Sequence, residues 1–76
     1  MHTSSFGLWL KARRRAYDLT QNELAQCVYC AEITIRKIES GELRPSRELA
    51  VLIVNALEVV ATEQSEMLLL ARAARS

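Results

Sequence analysis

TQNELAQCVYCAEITIRKIESG, residues 20–41, reads as two short helices separated by a few residues. Thr20 and Glu23 form a Thr-x-x-Glu capping box. The hydroxyl takes an orphan amide three residues on, and the carboxylate reaches back to the cap. Leu24, Ala25 and Val28 then fall on one helical face. A break follows at 29–31. Ile35 and Ile38 define a second apolar face, closed by Ser40-Gly41, where glycine accepts a left-handed conformation. Ala25 stands where the two helices cross, and its small side chain allows close approach. Thr34, Arg36 and Lys37 lie between or beside the isoleucines and point away from the core. The second helix thus presents a polar, partly cationic face from a short platform, which suits insertion into a DNA major groove.

Three segments, LTQNELAQ, TIRKIESG and RPS, occur in this order and spacing. Together they resemble the Cro/repressor-type (XRE-type, lambda-repressor-like) helix-turn-helix family, over residues 6–57. The resemblance implies an all-α, compact five-helix DNA-binding domain with the helix-turn-helix at its second and third helices. Expected helices are 6–16, 20–28, 31–40, 46–57 and 62–74, in a single domain spanning 1–76. The resemblance also implies an ion pair between Arg14 on the first helix and Glu39 at the end of the third. Two positions depart from the family pattern. Tyr29 stands where glycine usually provides a positive φ, at a cost of order 1 kcal/mol or more. Ala31 replaces the usual Ser or Thr cap of the recognition helix, a loss of roughly 1 kcal/mol.

The chain as a whole sets limits on this reading. Its 76 residues allow one domain with one small core. Two cysteines and one histidine, His2, leave little for disulfide or metal staples. No alternating apolar–polar run suggests a strand. No apolar stretch approaches the ~18 residues of a membrane helix. The start, MHTSSFG, lacks the charged and apolar regions of a secretion signal, so the expected compartment is the cytoplasm with reduced thiols. Net charge is only +1. Residues 1–47 hold eight Lys/Arg against five Asp/Glu, and residues 48–76 hold two against four, so the basic half contains the helix-turn-helix.

Along the chain, Ser4 or Ser5 can cap the first helix. Phe6, Trp9 and Leu10 are expected to bury against later helices. Lys11-Ala-Arg13-Arg14-Arg15 is a cationic run, read either as a solvated face or as phosphate contacts. Leu19 plugs the core ahead of the Thr20 cap. Gln21, in the first turn of the second helix, can bind phosphate through its amide and the free backbone N–H groups, or simply be solvated. Cys27-Val-Tyr-Cys30 offers no second ligand pair for zinc and no neighbouring sheet for a redox motif, so structural, unlinked cysteines are expected. Ser46 caps the fourth helix. Arg44 and Arg47 flank that anion-binding end. Leu49, Ile53, Ala56 and Leu57 make the fourth helix's core face, while Val51, Leu52 and Val54 are apolar beyond it. A helix apolar nearly all round is covered on more than one side, by a fifth helix or a partner. Thr62 is expected to cap that fifth helix, with Met67, Leu70, Ala71 and Ala74 as its stripe and Leu68 and Leu69 outside it.

The function these features imply is sequence-specific binding of double-stranded DNA by a transcriptional regulator. Base contacts are expected from Glu32, Ile33, Thr34 and Lys37, and phosphate contacts from Gln21, Arg36, Arg44, Ser46 and Arg47. Arg36 is nearly as well read as a plain solvent-facing side chain. No nucleophile–base pair, carboxylate pair or Gly-rich phosphate loop is present, so no enzymatic reaction, cofactor or metal is implied. A protein-interaction module that keeps the fold without DNA binding is the competing reading. The near-neutral charge, Glu32 on the reading face and the surplus apolar residues motivate it. A thiol sensor using Cys27 and Cys30 is a distant third. A homodimer, or contact with a further domain, through the fourth and fifth helices is also expected. The abrupt end at Ala-Arg-Ser fits the N-terminal part of a longer regulator.

Overall fold

A computed structural model describes the backbone of residues 5–74 and the side chains of residues 6–66. Among the described residues there are four helices and no strand: α1 (Ser5–Ala16), α2 (Gln21–Cys27), α3 (Glu32–Ser40) and α4 (Arg47–Ala74). Leu10 of α1, Leu24, Ala25 and Val28 at α2, Ile35 and Ile38 of α3, and Ile53 and Leu57 of α4 form one buried cluster. Phe6, Tyr17, Leu19, Cys30, Leu49 and Ala56 pack around it, half-buried.

Helices α1 and α2 end in the same way. The Asp18 N–H donates to the Arg15 carbonyl and the Leu19 N–H to the Arg14 carbonyl. At α2, the Tyr29 N–H reaches Gln26 and the Cys30 N–H reaches Ala25. Each is a Schellman closure, which needs a left-handed residue just past the helix and packs the next residue inward. Asp18 (φ 56°) and Tyr29 (φ 59°) are those left-handed residues, and Leu19 and Cys30 are the inward ones. Tyr29 therefore adopts the conformation glycine would favour, and the residue is 92% exposed. At α3, Gly41 (φ 86°) takes this role, its N–H reaching the Ile38 carbonyl at 3.2 Å.

Two expectations are corrected. The fourth and fifth helices are one, because α4 runs unbroken through 58–62. No glycine or proline lies between Arg47 and Ala74 to stop it. Thr62 is not a cap: its hydroxyl donates to the Glu58 carbonyl one turn earlier, 3.0 Å away, a bond made inside a helix. The second correction is Trp9, which is 37% exposed rather than buried. Leu10 takes the inward position of that turn. The indole lies against Phe6 (centroids 5.7 Å apart), with the Arg13 guanidinium 5.9 Å from its centroid. The stripe assigned to Met67, Leu70, Ala71 and Ala74, with Leu68 and Leu69, concerns side chains outside the described residues, as does His2; a capping Ser4 also lies outside them.

Candidate nucleic-acid interface

The orientation of α3 is set from both of its neighbours. Glu39, near its C-terminal end, is buried. Its carboxylate accepts from Arg14 Nε at 2.7 Å and Nη2 at 3.0 Å. Gln21 Nε2 adds a third bond to the same carboxylate at 3.1 Å. Arg14 Nη1 also donates to the Leu19 carbonyl at 2.8 Å. One buried charge pair thus links α1, the α1–α2 turn, α2 and α3. Bidentate arginine–carboxylate geometry makes the link directional. The Gln21 bond was not legible in the sequence. Only the first-turn position of Gln21 and the pairing of Arg14 with Glu39 hinted that three elements meet there.

With Ile35, Ile38 and Glu39 buried, the opposite side of α3 faces solvent. At about 100° per residue, Ile33 and Lys37 lie near the middle of that face, with Thr34 and Arg36 on opposite flanks. Glu32, Ile33, Arg36 and Lys37 are exposed and Thr34 is half-buried. Glu32 opens the helix nearer the packed side. Ala31 precedes it in an extended conformation with no side-chain cap, so the first amides of α3 lack a side-chain acceptor at that position.

The N-termini of α2 and α4 are capped. Thr20 Oγ1 accepts from the Glu23 N–H at 3.0 Å, and Glu23 accepts from the Thr20 N–H at 2.9 Å. The Thr20 backbone N–H foremost, and the Thr20 side chain after it, hold the exposed Glu23 carboxyl below its ordinary pKa. Ser46 Oγ accepts from the Leu49 N–H at 3.1 Å and so begins α4. Its hydroxyl proton remains able to donate. Arg44 and Arg47 on either side are exposed. Gln21, by contrast, has part of its amide engaged by Glu39, leaving the α2 backbone N–H groups as the freer anion donors there.

Cys27 is exposed and Cys30 half-buried, and both are free thiols. Burial raises the Cys30 pKa. No group of three or more metal-ligating side chains occurs among the described residues. No described helix is long and apolar enough to cross a membrane.

A family model described as helix-turn-helix matches residues 10–63. The chain belongs to the Cro/repressor-type helix-turn-helix family. That match takes in α2, the turn, α3 and more than half of α4, and it ends inside the helix that the structure shows to be continuous. No curated protein and no solved structure matches the chain. Helix-turn-helix membership makes this a DNA-binding class of domain rather than an enzyme family.

Proposed function

We propose that the chain is a transcriptional regulator that binds duplex DNA sequence-specifically, with α3 in the major groove. The observation that carries this reading is the α3 surface: Ile33 and Lys37 at its centre, Thr34 and Arg36 beside them, on a helix locked from behind by Ile35, Ile38 and Glu39. Lys37 can read guanine O6/N7. Ile33 offers apolar contact to a thymine methyl, and Thr34 can meet a methyl or a phosphate. Glu32 can accept from cytosine N4. Phosphates are held by the first amides of α2 beside Gln21, by Arg36, and by Arg44 and Ser46 at the start of α4. Arg47 begins α4 and can reach either the same phosphate or along the outer face of its own helix.

Selection of sites from random duplexes, followed by mobility assays on the selected site, tests the reading. Lys37→Ala and Thr34→Ala should each lose about 1–3 kcal/mol of base discrimination. Binding should also weaken steeply between about 50 and 200 mM salt. Unchanged affinity and preference in both variants would overturn it. The second reading, an interaction module without DNA binding, draws on exposed Glu32 and on the exposed Val51, Leu52 and Val59 of α4. It predicts no selected site and binding that salt scarcely affects.

A further inference from the structure

Helix α1 packs on α3, and α4 packs on α2. Between α1 and α4 a cleft of about 210 Å³ remains. Leu57, 3% exposed, lies deepest in it. Trp9 and Tyr17 line it from α1 and its end, and Val54 and Ala61 from α4. The Gln64 side-chain amide donates to the Tyr17 carbonyl at 3.0 Å and ties α4 to the end of α1. The space equals that of about seven waters, at roughly 30 Å³ each. Those waters meet mostly apolar side chains, so they are held by few hydrogen bonds and are readily displaced. Two opposite charges stand at the edges. Arg13 belongs to α1 and Glu58 to α4, and both are exposed. Among the described residues, neither the guanidinium nor the carboxylate has a hydrogen-bond or ion-pair partner, and the two do not come within 4.0 Å of each other.

We propose that this cleft binds a free α-amino acid with an apolar side chain, of the size of leucine or phenylalanine. Its carboxylate meets the Arg13 guanidinium and its ammonium meets the Glu58 carboxylate. Its side chain lies over Leu57, between the Trp9 indole and Val54. The indole, 5.9 Å from the guanidinium, holds Arg13 by cation–π attraction and leaves its N–H groups to donate. Each charged bond spans about 2.8 Å. A molecule carrying both charges therefore bridges a gap too wide for the two side chains to close directly. The charge pattern selects the class of ligand. An apolar acid leaves Glu58 unmatched, and an apolar amine leaves Arg13 unmatched. An internal peptide segment brings neither charge on its backbone. The apolar lining disfavours glycine, which has no side chain to exchange for the water.

The inference does not depend on DNA binding, and its test contains no DNA. Trp9 is the one tryptophan of the chain, so its fluorescence and its indole N–H resonance report on this cleft alone. Titration of the full chain with L-leucine and L-phenylalanine should move both signals to saturation, with a Kd of about 0.1–1 mM. Phenylpropionate and phenethylamine, which each lack one charge, should bind about three- to tenfold more weakly. N-acetyl-leucinamide, which lacks both, should bind more weakly still. Arg13→Gln and Glu58→Gln should each weaken leucine by the same factor as the matching analogue. Both positions are exposed, so the circular dichroism spectrum should not change. Arg15→Gln, outside the cleft, should bind leucine as the parent does and so exclude an effect of net charge. Absence of saturation by about 10 mM, a tenfold excess over the weakest Kd expected, would overturn the proposal. So would equal binding of leucine and N-acetyl-leucinamide, which would mark the cleft as a peptide-docking surface, or equal affinity in the Arg13 and Glu58 variants.

Discussion

Replacing Glu39 by alanine should unfold most of the protein. The carboxylate is buried and accepts three bonds, from Arg14 Nε, Arg14 Nη2 and Gln21 Nε2. Its removal leaves the Arg14 guanidinium inside the domain with its bond to the Leu19 carbonyl. Breaking one side of a buried pair typically costs about 3–5 kcal/mol, because the remaining charge is uncompensated. A core this small supplies only about 3–5 kcal/mol in total. The loss and the reserve are equal within their ranges, so Glu39→Ala should be largely unfolded in buffer at 25 °C. Arg14→Ala should behave alike, stranding the carboxylate with Gln21 alone. The double variant Arg14→Met/Glu39→Leu is the decisive control. It removes both charges and refills the space, and such replacements are often neutral or stabilising. Urea unfolding followed by circular dichroism at 222 nm measures all three. A Glu39→Ala protein within about 1 kcal/mol of the parent would refute the reasoning, well short of the penalty for a stranded charge. So would a double variant as unstable as the sum of its parts, because coupled neighbours should not add.

Two further predictions follow from the backbone and the caps. Tyr29→Gly relieves a left-handed tyrosine worth about 1–2 kcal/mol, offset by about 0.4–1 kcal/mol of unfolded-chain entropy. The residue is almost fully exposed and forfeits no packing. Ala31→Ser supplies the missing acceptor at the start of α3 and adds about 1 kcal/mol. The two together should raise the urea midpoint, and a midpoint that falls would show that the turn is held by contacts other than those described. Glu23 should titrate below the usual carboxylate range in an NMR pH series. Its folded pKa is depressed, so its contribution to stability is present above the unfolded pKa and is lost as pH falls through the folded one. Thr20→Ala should move that titration only part of the way back, since the larger bond comes from the Thr20 backbone N–H, which alanine retains.

Local chemistry made α2 and α3 legible in the sequence. A capping box, a small residue at the crossing, isoleucines at helical spacing and a closing glycine are all short-range signals. The resemblance pointed to the backbone at Tyr29, since a Schellman closure demands the left-handed region of whichever residue follows the helix. The fifth helix was misread for an equally local reason. A threonine after a run of apolar residues can cap a new helix or bond back within an old one, and spacing does not separate the two. Absence of glycine and proline between Arg47 and Ala74 was the better signal. Trp9 was misplaced because 3.6-residue periodicity assigns neighbouring positions to one broad face. Leu10 filled the available volume, and the indole settled at the rim under Arg13. The Gln21–Glu39 bond joins residues 18 apart and had no local trace.

A buried ion pair is a weak source of stability, so its presence behind α3 calls for another explanation. Apolar side chains such as Ile35 and Ile38 fix the depth of a helix but tolerate small rotations about its axis. Arginine-to-carboxylate bonds do not, because a shift of even 1 Å would break the paired 2.7 and 3.0 Å contacts. The network therefore fixes the rotation of α3, and with it the direction in which Ile33 and Lys37 point. Arg14→Met/Glu39→Leu should separate the two properties. It should keep the fold and most of the stability while its discrimination between a selected DNA site and a mismatched one declines. Full discrimination in that variant would leave the pair with neither a stabilising nor an orienting role, and the interface would then have to owe its geometry to apolar packing alone.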